Sequence, residues 1–113
     1  MGVDERIVKA VTAVVAVCEP EEYTPESGEG VAEEYCTYNY DLIPTGFGGN
    51  RPRTARALVQ VHWYLPRGRR PNETRLALCR ALRAAGFTYP TVTDAADENG
   101  QHWVLECETL EAV

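Results

Sequence analysis

Residues 58–65, Leu-Val-Gln-Val-His-Trp-Tyr-Leu, constrain the fold of this chain more than any other stretch. Val59, Val61, Trp63 and Leu65 share one side of an extended segment, while Gln60, His62 and Tyr64 share the other. That period of two is the signature of a half-buried strand, and a helix would mix the two classes. The β-branched and aromatic content suits a pleated surface, and Trp63 alone can bury on the order of 200 Å². The segment therefore reads as a central strand, stopped by Pro66.

The 113 residues, 44% of them hydrophobic, suffice for one domain with a single core. The longest apolar run, Val14 to Cys18, falls far short of a membrane span. The N-terminus alternates Asp4, Glu5, Arg6 and Lys9 with apolar residues, unlike a signal peptide, so a soluble protein made in the cytoplasm is expected. Cys18, Cys36, Cys79 and Cys107 are widely spaced and form no zinc pattern with His62 and His102. They read as reduced core residues, with no metal and no cofactor.

Asp4 is a candidate N-cap for a first helix. Ile7, Val8, Val11, Val14, Val15 and Cys18 give that helix an apolar stripe. The β-branched Val-Val-Ala-Val-Cys end allows the helix to stop near Ala13 and turn into a strand. Residues 19–31 read as a mobile acidic loop, and the Tyr-rich run Glu33 to Asp41 as a strand. Residues 44–57 hold three glycines and two prolines and read as a long loop with Phe47 exposed near its tip. The loop lacks a phosphate-cradle spacing, and a strand rather than a helix follows it.

After Pro66, a second helix begins at Asn72 as cap, carries Leu76, Leu78, Cys79 and Leu82 inward, and stops at Gly86. Thr91 to Asp94 is a short strand, and Asn99-Gly100 a hairpin turn. In the last strand, Gln101 to Glu108, Trp103, Leu105 and Cys107 face the core and His102, Val104 and Glu106 face away. The expected fold class is α+β: a mainly antiparallel sheet of four strands, or five, with two helices packed on one face.

The net charge of −6 is unevenly spread. Residues 1–41 sum to −8, residues 42–93 to +8, and residues 94–113 to −6. Such segregation serves either pairing within one molecule or complementary faces between copies. Two arginine groups stand out: Arg51, Arg53 and Arg56 beside Phe47, and Arg67, Arg69 and Arg70 after the central strand. Together with Phe47 they are the candidate subunit or partner interface. A nucleic-acid-binding role through these arginine-rich loops is the alternative, opposed by the sequence pI near 4.9. Catalysis is not expected. His62 and His102 can approach if their strands neighbour, but no serine or cysteine is placed beside them by the sequence.

Several segments in order carry a family likeness: Tyr38-Asn39-Tyr40 before a Gly-rich stretch, Leu58-Val59-Gln60-Val61-His62, a helix ending Ala84-Ala85-Gly86-Phe87, Val92-Thr93-Asp94, and Asp97 through Glu108. From about Glu33 onward this order resembles small prophage proteins of the tail-completion, tail-terminator or head-tail joining type. The resemblance implies a non-enzymatic α+β subunit that forms a ring, of hexameric type, at the head-proximal end of a siphophage-like tail. Its implied partners are further copies of itself, the tail tube protein and head connector proteins. DNA would meet it only by passing through the ring lumen, and no small-molecule substrate or membrane is involved. The implied places are the host cytoplasm during assembly and the virion neck.

Overall fold

A computed structural model describes residues 2–23 and 33–112. Along the chain these form α1 (Val3–Thr12), β1 (Cys18–Pro20), β2 (Tyr35–Gly48), β3 (Arg51–Leu65), α2 (Asn72–Ala84), β4 (Thr91–Asp94) and β5 (Gln101–Ala112). One five-stranded sheet has the order β1-β2-β3-β5-β4. Among the described residues only the β1–β2 pairing is parallel, so the fold is α+β as the sequence predicts.

The central strand lies between β2 and β5. The register matches Cys36, Trp63 and Trp103 across the three strands, then Tyr38, Val61 and Leu105, then Tyr40, Val59 and Cys107. Both helices cover this face. Ile7 and Val11 of α1 and Leu78 and Leu82 of α2 are fully buried with Trp63, Val61 and Leu105. Helix α2 ends where Gly86 takes φ +98, a value that costs glycine little. Gly86 N–H then donates to Arg83 O and Phe87 N–H to Leu82 O, satisfying carbonyls the helix leaves free. Phe87 is thereby turned into the core, 1% exposed. The Arg6 guanidinium lies 4.8 Å from the Phe87 ring centroid, and that of Arg75 the same distance from Trp103.

The long loop expected at 44–57 is instead regular sheet. β2 and β3 stay in register from Tyr35↔Tyr64 to Gly48↔Arg51, closed by a two-residue turn at Gly49 and Asn50. Their φ values of +60 and +64 are those of a tight turn whose twist matches the flanking strands. The tail of the hairpin projects as an arm, and the molecule measures 53 × 32 × 24 Å.

Smaller corrections follow the same logic. The expected acidic loop 19–31 gives up Glu19 and Pro20 to β1, which pairs with Thr37 and Tyr38; residues 24–31 lie outside the described residues. Asp4 is not the N-cap of α1. Gly2 is, and Asp4 accepts hydrogen bonds from the hydroxyls of Tyr38 (2.9 Å) and Tyr40 (2.7 Å), tying the helix to β2. Asn72 is the first residue of α2, not its cap, and its Oδ1 accepts from Arg75. Leu76 is 45% exposed rather than part of the inward stripe. Finally, β5 runs four residues past Glu108, to Ala112.

Candidate functional site: an open sheet face and a hairpin arm

The side of the sheet away from the helices is built from the other residues of the same alternation. Tyr35, Tyr64 and His102 form its first row, followed by Thr37, His62, Val104 and Thr93. Asn39, Gln60, Glu106 and Thr91 come next, then Asp41, Leu58 and Glu108, and finally Ile43 and Arg56 of the arm with Leu110 of β5. Its character therefore changes along the strands from aromatic through acidic to apolar and basic.

The aromatic end is a ring ladder. Centroids are 4.9 Å apart for Tyr23–Tyr35, 4.8 Å for Tyr35–Tyr64 and 4.2 Å for Tyr64–His102. Tyr35, Tyr64 and His102 stack and Tyr23 tilts against Tyr35 at 44°, so the ring faces within the ladder are already occupied and offer little for a nucleobase to stack on. His62 and His102 do approach, as their strand positions allow: His62 Nδ1 and His102 Nε2 are 2.9 Å apart. At that distance one ring donates and the other accepts, which requires the accepting ring to be neutral. Burial, the largest cause, holds the pKa of each below its ordinary value; a charge on His102 pushes His62 further down, while Glu106 opposes the shift at His62 and Asp97 at His102. Among the described residues, no group of three or more His, Cys, Asp or Glu could hold a metal ion.

The middle of the face is a solvent-open depression of about 470 Å³, with Asp41, Glu106 and Glu108 among its lining and Tyr89 on its rim. Glu108 faces Arg56 at 3.6 Å, a half-exposed pair of small energetic weight. Asp41 and Glu106 are exposed.

The sequence-predicted interface residues fall into two places. Phe47 is 68% exposed on the arm; by the alternation of the ladder the exposed Arg56 lies on its side, and the exposed Arg51 and Arg53 on the other. The Arg53 side chain lies against Gly48, where an added Cβ would sit 2.6 Å from Nε. Arg67, Arg69 and Arg70 are at the opposite end of β3, some 50 Å away at ~3.3 Å per residue. Arg67 donates to the Asp97 carbonyl (3.0 Å) and Arg69 faces Glu33 (3.7 Å). The fold thus keeps the two arginine groups apart rather than joining them in one basic patch. The sequence reading missed the acidic depression, because Asp41, Glu106 and Glu108 become neighbours only once the β2–β3–β5 register is known.

The four cysteines are free thiols, three buried and Cys18 half-buried. Burial pushes Cys18 and Cys107 up to about 12, so both stay protonated and unreactive. No helix among the described residues is long and apolar enough to cross a membrane. Comparisons with protein-family models, curated proteins and solved structures returned no match for this chain.

Proposed function

We propose that this chain is a structural subunit that assembles with copies of itself into a ring, in the tail-completion role that its sequence resemblance implies. The hairpin arm is the observation that supports this reading most. Residues 42–57 form a long projection that supplies only Ala57 to the core cluster, yet it displays Leu42, Ile43 and Phe47 at 50%, 40% and 68% exposure. Exposed apolar side chains on an arm that also carries arginines are what a protein contact needs and what stability alone does not. The reading extends to the partners: the ring would cap the tail tube protein, dock on head connector proteins and pass DNA through its lumen without base recognition, with Arg67, Arg69, Arg70 and the Phe47 hairpin meeting acidic segments of a neighbour or of the tail tube protein. In this role the protein performs no catalysis and takes no cofactor, and its places are the host cytoplasm and the virion neck.

Light scattering across a concentration series, followed by electron microscopy for rings, tests the proposal. Closed rings of uniform size are expected, alone or on addition of tail tube protein. A protein that stays monomeric at high concentration and binds neither the tail tube protein nor a head connector would refute it. Salt-sensitive retention of DNA that is lost in the Arg67→Ala/Arg69→Ala/Arg70→Ala variant would favour the nucleic-acid alternative instead.

A further inference from the structure

We infer that the arm of one copy docks into the carboxylate-lined depression on the open face of a second copy, joining subunits head to tail. This inference rests on the self-assembly reading and specifies its contact. Residues 42–57 contain three arginines and no Asp or Glu. The depression presents Asp41, Glu106 and Glu108, and only Glu108 faces an arginine among the described residues. Each surface thus carries charge that its own molecule leaves largely unmatched.

Within one copy only Arg56, at the base of the arm, reaches the depression, through Glu108; the arm's tip does not. Arg51 and Gln60 belong to the same strand and stand roughly 30 Å apart at ~3.3 Å per residue, with the ladder holding that stretch extended. The match is therefore between molecules. Two different surfaces make a heterologous contact, which repeats from subunit to subunit and closes into a ring when the rotation allows. Within it the parts have separate tasks. Arg51 and Arg53 opposite Asp41 and Glu106 set register and steer approach. Phe47 supplies apolar burial, with Tyr89, itself 53% exposed, at the rim to receive it.

Complementary charge reversal in the full chain tests the contact. Arg51→Glu/Arg53→Glu alone and Asp41→Arg/Glu106→Arg alone should each weaken self-association at least tenfold in sedimentation, while an equimolar mixture restores it. The positions are exposed, and matching thermal melts verify folding; Arg51→Gln/Arg53→Gln serves where the reversal does not fold. Benzoylphenylalanine placed at Phe47 should photo-crosslink to residues 35–41, 87–91 or 101–112 of another copy. A mixture no better than its components, or crosslinks landing elsewhere, with wild type still associating, overturns the docking and leaves the self-assembly reading standing. Wild type that remains monomeric and forms no intermolecular crosslink overturns both.

Discussion

The β2–β3 ladder has two halves with one register and different support. Near the body, residues 35–41 and 58–64 carry helices on one face, and Trp63 and Val61 are 0% exposed. On the arm, residues 42–48 and 51–57 run in the same pairing, yet Ile43, Phe47 and Arg56 stand in solvent. The body half is held by burial, at roughly 25 cal/mol per Å² of apolar surface. The arm half is held by backbone pairing and a turn that fits. A strand pair can thus outlast its core, and the residues it then displays answer to contact rather than to packing.

Truncation at matched positions should separate the halves most sharply. Trp63→Ala removes a wholly buried ring and is expected to cost about 3–5 kcal/mol. Phe47→Ala, on the arm, should change stability by less than about 0.5 kcal/mol. Urea midpoints measure both, and comparable losses would erase the distinction.

A smaller effect is expected from Gly49→Ala, which places a Cβ at φ +60 and costs about 1–2 kcal/mol. The cost should stay local: faster amide exchange across residues 42–57, with body amides unchanged. Equal loss of protection around Trp63 would mean that the halves are one cooperative unit.

The smallest effect concerns pH. The folded chain holds His62 and His102 below the ordinary value of 6.5, so the unfolded chain binds their protons first on acidification. Their contribution is complete above about pH 6.5 and declines as pH falls through the folded values. His62→Gln/His102→Gln should flatten that decline without altering the arm, as read from thermal midpoints at a series of pH values. An unchanged slope would show that the pair is energetically silent.

Where burial acts on one face, the fold was legible. Val59, Val61, Trp63 and Leu65 announced the central strand, Trp103, Leu105 and Cys107 the last one, and Gly86 the end of α2. The arm was illegible for the complementary reason: residues 42–48 are little covered on either face, only the small Ala55 and Ala57 are buried opposite them, and Pro44, Gly46, Gly48 and Pro52 read as loop residues. Pro52 is tolerated in β3 because it lies beyond Thr54, the last β3 residue paired with β5, and so costs no bond on that side. Of the candidate site, the arginines were visible as composition. The acidic depression was not, since Asp41, Glu106 and Glu108 are brought together only through β3, by the pairings Asp41↔Leu58, Leu58↔Glu108 and Gln60↔Glu106.

The turn at Gly49 and Asn50 also bears on how the chain finds its structure. It closes the β2–β3 ladder over two residues, whereas β3 reaches β5 only after α2 and β4 have intervened. Loop-closure entropy therefore favours zippering from the arm toward Trp63, with the β5 pairing added late. The less buried half of the β2–β3 ladder would then be where its folding begins.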